Sequence, residues 1–412
     1  MDLRTYGLVT GAYWGLTITD GALRMLVLLH FHNLGYGPLE LSFLFLAYEL
    51  MGVITNLLGG WAGSRSGLDW TLKLGLGFQV SALLAISFVE PSWSKVLSVI
   101  FVMSCQALSG IAKDLTKMSS KSAVKLVVGE NEENTLFKWV AVLTGSKNAL
   151  KGAGFFVGSA LLTWIGFRKS LFLLAGLVAI CLISVMLFLK EEIGKSKSAQ
   201  RLRLFSSDSP AINRLATARI FLFGSRDIWF VVALPIFLDE ELGWSFNGIG
   251  GFLAGWVIGY GIVQSWAPSL VTLMGRAKET ITSVRLWALS LVIVTAGIAI
   301  FVSADLSRNF IVVGGLIIFG LFFAINSSVH SFLILAYSEN EDTVAINVGF
   351  YYAANALGRL LGTLLSGLTY LIGGMNVALW VSAGFLAVNW LLSLTLPSTQ
   401  NKTTKGFNPK EK

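Results

Sequence analysis

Phe45-Leu46-Ala47-Tyr48-Glu49-Leu50-Met51-Gly52 returns 207 residues later as Phe252-Leu253-Ala254-Gly255-Trp256-Val257-Ile258-Gly259, with the Phe-Leu-Ala triplet and the closing glycine in register. The same shift lays Asp20 on Asp227 and Asn148-Ala149-Leu150 on Asn355-Ala356-Leu357. One residue out of register, Leu34-Gly35-Tyr36 matches Leu242-Gly243-Trp244. Four matches at one offset of almost half the chain describe two parallel halves related by an axis along the membrane normal.

The composition makes lipid the solvent of both halves. Of 412 residues 54% are hydrophobic and only 13% charged, against roughly a quarter charged in soluble domains, and the mean hydropathy is +0.71. Twelve spans at about 20 apolar residues each need roughly 240 residues, which the chain supplies in successive windows. The first six are Tyr6–His30, Leu41–Ala62, Leu72–Val89, Val96–Lys117, Phe137–Trp164 and Ser170–Leu189. The second six are Leu215–Leu238, Gly248–Leu273, Val284–Val302, Phe310–Leu335, Ala345–Ile372 and Val377–Leu396. The expected organisation is therefore an all-α membrane protein of two six-helix bundles, residues 1–189 and 215–396, joined by a cytoplasmic linker at 190–214 and followed by a cytoplasmic tail at 397–412.

Charge placement orients the chain. With both termini in the cytoplasm, that side receives Arg4, Arg65, Lys121, Lys125, Lys190, Lys195, Lys197, Arg201, Arg203, Arg214, Arg276 and Lys278, and the outer loops receive only Lys95, Arg168, Lys169 and Arg308. The reverse orientation violates the positive-inside rule. The net charge of +8 is read as that bias, not as a nucleic-acid footprint. The N-terminus lacks a small-residue cleavage pattern, so no removable signal peptide is expected.

The turn after the second window, Gly60-Trp61-Ala62-Gly63-Ser64-Arg65-Ser66-Gly67, resembles the G-x-x-x-D-R-x-G signature of the major facilitator superfamily. Ser64 stands where that signature has Asp, and Asp69 is the nearby carboxylate that could substitute. Gly60, Ser64, Arg65, Gly67 and Asp69 are thus candidate gating residues; the plainer alternative is a tight turn with one snorkelling arginine.

Ionisable side chains inside a span are expensive and mark functional sites by default. The first window carries Asp20 and Arg24, four apart on one face, either a self-neutralising pair or a substrate cation with its modulator. Glu49 stands mid-span without a cation within four residues; such a carboxylate suits reversible protonation, with Asp20 and Asp227 as further proton-coupling candidates. Lys113, Lys117, Lys121 and Lys125 recur every four residues at and beyond the cytoplasmic end of the fourth window, as snorkelling positions or as an entry funnel for anions. Lys147 and Lys151 lie near mid-span on one face with Asn148 between them, and need carboxylates, a water-filled cavity or an anionic ligand. Arg226 and Asp227, adjacent in sequence and about 100° apart around a helix, need not pair. Asn347, Tyr351, Tyr352, Asn355 and Arg359 read as a polar cavity wall, and Asn326 with His330 as hydrogen-bonded structure.

Near mid-span, five cations (Arg24, Lys147, Lys151, Arg226, Arg359) face three carboxylates (Asp20, Glu49, Asp227). A surplus of positive charge in low dielectric calls for a multivalent anion, with arginine suited to bidentate contacts to phosphate-like groups. The expected substrate-binding residues are Arg24, Lys147, Lys151, Arg226, Arg359, Asn148, Asn355 and Tyr351. A multidrug exporter would want an apolar cavity with one or two carboxylates, and an organophosphate importer would share the cationic one. An intramembrane enzyme would need a nucleophile-base set or metal ligands. His30, His32 and His330 are scattered, and Cys105 and Cys181 sit in apolar runs without metal or redox spacing. No enzymatic activity, metal or cofactor is expected.

Thr19-Asp20-Gly21-Ala22-Leu23-Arg24, Ser109-Gly110-Ile111-Ala112-Lys113-Asp114-Leu115, Thr144-Gly145-Ser146-Lys147-Asn148-Ala149-Leu150-Lys151-Gly152 and Arg226-Asp227-Ile228-Trp229-Phe230 through Pro235 resemble the ArsJ-type organoarsenical efflux permeases of the major facilitator superfamily. The resemblance runs from the first through the eighth window. It implies a bacterial inner-membrane exporter of 1-arseno-3-phosphoglycerate, working with a glyceraldehyde-3-phosphate dehydrogenase that makes this ester from arsenate. Nothing in spacing or composition points to arsenic. Transport is expected to run by alternating access with proton exchange, in a monomer embedded in the bilayer.

Overall fold

In hydrocarbon no water receives backbone N–H and C=O groups, so apolar runs of this length must close their hydrogen bonds internally as helices. A computed structural model of the chain describes residues 3–66, 68–127, 133–189, 207, 209–273, 277–304, 308–338 and 341–397, and all regular secondary structure among them is helical. The first half comprises α1 (Leu3–Asn33), α2 (Pro38–Ser66), α3 (Leu68–Ile86), α4 (Lys95–Val127), α5 (Glu133–Ile165) and α6 (Phe167–Phe188). The second comprises α7 (Pro210–Phe230), α8 (Ala233–Glu240), α9 (Phe246–Leu273), α10 (Ala277–Ser303), α11 (Arg308–Tyr337) and α12 (Glu341–Leu394).

Twelve spans result, because α7 and α8 are one interrupted span and α12 holds two. Pro235 has no N–H, and its ring collides with the carbonyl one turn earlier, so the helix opens at Val231–Val232. The N–H groups of Val232 and Ala233 donate to Ser366 Oγ, each at 3.1 Å, so α12 supplies the acceptor that the break removed. Within α12 the turn between spans falls at Gly373 and Gly374, the latter at φ 62°, a left-handed conformation open to glycine. Eight stretches among the described residues are apolar and long enough to cross a membrane on composition alone, the last being the two-span Asn347–Leu394. The more polar α1, α3 and α5 also reach spanning length.

The expected windows are recovered with most ends extended, furthest at α4, which continues from Lys117 to Val127, and at α10, which begins at Ala277 instead of Val284; α7 begins at Pro210 inside the expected linker. Most of that linker, residues 190–206, and the tail from 398 lie outside the described residues.

The two halves are built alike. In the first, α5 presses on α1 so closely that a Cβ on Gly158 would strike the Ala22 carbonyl; in the second, α12 presses on α7 so that a Cβ on Gly358 would strike the Ile220 carbonyl. Gly35 and Gly243, at φ 78° and 66°, end the first span of each half in the same left-handed turn. The one-residue slip lies in the turn itself: the Tyr36 N–H returns to the Phe31 carbonyl five residues back, the Trp244 N–H to the Leu238 carbonyl six back. The halves meet along α2 against α12 and α5 against α9. On the face away from the linker they are clasped by His32 Nε2 and Asp239 Oδ2, 3.0 Å apart, and by Thr163 Oγ1 donating to Asn247 Oδ1 at 3.3 Å.

Burial separates central from peripheral helices. The most apolar window of Pro210–Glu240 is 83% buried, that of α6 only 28%. Leu173, Ile180, Ile183 and Leu187 of α6 are exposed, as lipid-facing side chains should be.

The close α1–α5 approach is testable. Gly158→Val should lower the melting temperature of the purified protein sharply, in line with about 1–3 kcal/mol for overpacking, whereas Gly176→Ala, where an added Cβ meets nothing within 4 Å, should leave it unchanged.

Candidate functional site

A carboxylate in hydrocarbon is stable only beside cations or donors, and the helices bring both to the interface between the halves. Glu49 of α2 is 1% exposed and its Oε1 receives Arg24 Nη1 of α1 at 3.3 Å and Arg359 Nη2 of α12 at 2.5 Å. Arg359 Nε turns to Asp227 Oδ2 of α7 at 3.4 Å, and Asp227 Oδ1 accepts from Arg226 Nε at 2.7 Å. The result is an alternating chain, Arg24–Glu49–Arg359–Asp227–Arg226, that begins in one half and ends in the other.

Three expectations change here. Glu49 is not a lone carboxylate: both partners arrive from other helices, which local spacing does not reveal. Arg24 does not neutralise Asp20. It turns to Glu49, and Asp20 Oδ1 instead accepts a hydrogen bond from Tyr48 OH at 2.7 Å, making no ion pair among the described residues. Arg226 and Asp227 do pair, because a long arginine side chain spans the angular gap between neighbours.

Beside the chain stand cationic donors without partners. Arg24 Nη2 is buried and makes no hydrogen bond among the described residues. Lys151 of α5 makes no hydrogen bond or ion pair among the described residues; its Nζ lies 5.8 Å from the Phe155 ring centroid, within electrostatic reach of Arg359, Asp20, Arg24 and Lys113.

The lysines of α4 divide. Lys113 is not at the cytoplasmic end. Its Nζ sits over the Tyr48 ring at 4.0 Å, and both it and Asp114 Oδ2 lie 3.8 Å from where a Gly52 Cβ would be. Small Gly52 makes room for this pair. Asp114, 3% exposed, accepts from Thr55 Oγ1 at 2.6 Å and pairs with Lys117 at 3.6 Å. Lys117 Nζ also reaches within 5.5 Å of the Tyr352 ring in the other half, and Lys147 lies within electrostatic reach of Asp114. The side chains of Lys121 and Lys125 fall outside the described residues.

The asparagines are engaged within the protein and do not stand free for substrate. Asn148 donates to Gln264 Oε1 of α9 at 3.2 Å, a clasp between halves, and Asn355 Oδ1 holds Arg219 Nε at 3.1 Å. Tyr351 is fully buried beside Arg219. Of the candidate gating residues, Asp69 pairs with Lys73 one turn on at 2.8 Å; Gly60, Ser64 and Arg65 belong to the end of α2, with side-chain surroundings outside the described residues, as is Gly67 altogether. Asp114 and Arg219 belong to the buried charges but not to the expected site. Asp114 was readable as the acidic interruption of the lysine stripe, and Arg219 as a cation seven positions, two helical turns, before Arg226. Among the described residues no cluster of three or more His, Cys, Asp or Glu is placed to hold a metal.

Two helical bundles meeting at a charged mid-membrane site define a secondary transporter. The sequence profile of the Major Facilitator Superfamily matches residues 9–229 and again 215–412, and the chain belongs to that family. Solved structures share the fold. The nucleoside transporter NupG, solved as a point mutant, has a TM-score of 0.72 at 16% identity, covering 95% of this chain and 99% of its own. A POT family transporter in complex with a thioalcohol-conjugated peptide has 0.69 at 13%, covering 95% and 96%. The human organic anion transporter MFSD10 (TETRAN) has 0.64 at 15%, covering 95% and 100%. No curated protein matches the chain.

Glu49→Gln should strand Arg24 and leave Arg359 only its contact to Asp227, and a buried pair broken on one side loses about 3–5 kcal/mol. The variant should therefore melt well below wild type, whereas Arg359→Gln, which leaves Glu49 with Arg24 and Asp227 with Arg226, should melt above the Glu49→Gln variant. Melting curves of the three proteins read this directly.

Proposed function

We propose that this transporter exports a multivalent organic anion, 1-arseno-3-phosphoglycerate, from the bacterial cytoplasm across the inner membrane by alternating access in exchange for protons. The observation that carries the anion reading is a pair of cationic donors, Arg24 Nη2 and Lys151 Nζ, that meet no hydrogen-bond or ion-pair partner among the described residues, beside a charge chain that already uses both of its carboxylates. An oxyanion supplies the acceptors these donors lack, and a three-carbon ester with an arsenate and a phosphate can touch both halves at once. Binding that draws the halves together favours an occluded state over the open ones, which is the differential interaction alternating access needs. The arsenic-specific part rests on the resemblance of the α1, α4, α5 and α7 segments to organoarsenical permeases. On this reading the linker and both termini are cytoplasmic, the chain works as a monomer, and glyceraldehyde-3-phosphate dehydrogenase supplies the ester.

The proton role goes to Asp20. Glu49 and Asp227 are each held by two arginines, whereas Asp20 has a tyrosine hydroxyl and no ion pair among the described residues, so it can gain and lose a proton without breaking the chain. An importer of sugar phosphates or other organophosphates would use the same cations, and the direction of transport separates the two.

The deciding experiment is arsenate survival of an arsenic-sensitive bacterium carrying the transporter with and without the dehydrogenase. Protection that needs both supports the reading. Full protection by the transporter alone, or none by the pair, sinks the arsenical ester. Lys151→Ala should abolish protection while leaving the protein inserted in the membrane. Asp20→Asn should retain anion exchange in vesicles but lose its dependence on a pH gradient; a wild-type pH dependence in that variant removes Asp20 from the coupling.

A further inference from the structure

Arg219 of α7 is 4% exposed and lies about 10 Å along the helix from Arg226, two turns toward the linker. Its Nε and Nη1 donate to Asn355 Oδ1 at 3.1 Å and to the Ser327 carbonyl at 3.0 Å. Both acceptors are neutral, and among the described residues no carboxylate pairs with the side chain. The guanidinium packs on Phe223 at 4.1 Å and on Tyr351 at 4.9 Å, and Arg226 lies 5.0 Å from the same Phe223 ring. One aromatic ring thus separates the arginine of the central chain from a second, uncompensated one.

The neighbours of Arg219 share its deficit. Among the described residues both ring nitrogens of His330 are buried without hydrogen-bond partners, and the Tyr351 hydroxyl is buried without a close one. His330 is within electrostatic reach of Arg219. The Tyr351 hydroxyl has one hydrogen-bonding neighbour, the Ser331 hydroxyl, and that group already donates to the Ser327 carbonyl at 2.9 Å. A hydroxyl, an imidazole that carries at least one N–H in either tautomer, and a guanidinium edge all have donors to spend. Leaving such groups unmet carries the full desolvation penalty of each, larger for the charge. What is missing is a set of acceptors with negative charge.

We propose that Arg219, Tyr351 and His330 form a second anion site in the C-terminal half, binding a phosphate- or arsenate-type oxyanion two helical turns from the central site. The assignment rests on the anion-transport reading above, and adds to it a station on the linker side of the chain of charges.

The test is isothermal titration of the purified full-length protein with 3-phosphoglycerate, with glycerol as the neutral control. Wild type should bind two equivalents. Tyr351→Phe removes only a hydroxyl whose one hydrogen-bonding neighbour, Ser331, keeps its own bond to the Ser327 carbonyl, so a purely structural tyrosine predicts unchanged anion binding. The proposal predicts that Tyr351→Phe weakens one of the two events at least tenfold, that Arg219→Gln abolishes the same event, and that Lys151→Ala removes the other. A single equivalent in wild type, or two unaltered events in Tyr351→Phe, overturns the second site and leaves the central one standing. No binding of 3-phosphoglycerate by wild type sinks the anion reading itself, and the second site with it.

Discussion

Glu49 receives one arginine from its own half and one from the other, and the rest of the central arrangement depends on that shared carboxylate. Without it Arg24 and Arg359 would be two buried like charges at the interface of the bundles. With it, Arg359 is anchored at one end and free to reach Asp227 through its Nε, which in turn fixes Arg226. The chain is electrostatically self-consistent yet one positive charge in excess, and Lys151 adds another beside it. A site that is held together by its own ion pairs meets one requirement of a transporter, that it persist through each cycle.

The same carboxylate links chemistry to movement. Glu49 and Arg359 sit on α2 and α12, which pack against each other across the interface. A ligand that competes for Arg359 or Arg24 would change the charge balance of that contact. The His32–Asp239 pair on the face away from the linker is a second contact between halves, so separating the halves there breaks an ion pair or hydrogen bond. Close glycine contacts join α1 to α5 and α7 to α12 within each half.

Helix interruptions are placed where side chains can repair them. Pro235 breaks the seventh span, and Ser366 of the eleventh receives the freed N–H groups. The seventh span is also the most buried of those measured, so no opened backbone faces lipid. That neighbourhood holds Arg226, Asp227 and, two turns away, Arg219, which places a locally distorted helix beside three of the charges that matter most.

The twelve spans, their near-equal division and the turns that end the first span of each half were legible in the residue order, because hydrophobic runs and a repeated offset are one-dimensional signals and lipid permits few alternatives. The ionisable side chains inside the spans could be listed too, since charge in an apolar window can be counted without knowing its neighbours. Partner choice was not. Glu49 meets Arg359 across 310 residues, Asp20 is claimed by Tyr48 instead of the Arg24 one turn away, and Lys113 points at Tyr48 and Asp114 where its spacing placed it with an entry stripe. Those outcomes depend on which helix faces approach, how closely small residues such as Gly52 let them come, and where long flexible side chains end. Such quantities arise only when the two halves are packed together, and no local spacing encodes them.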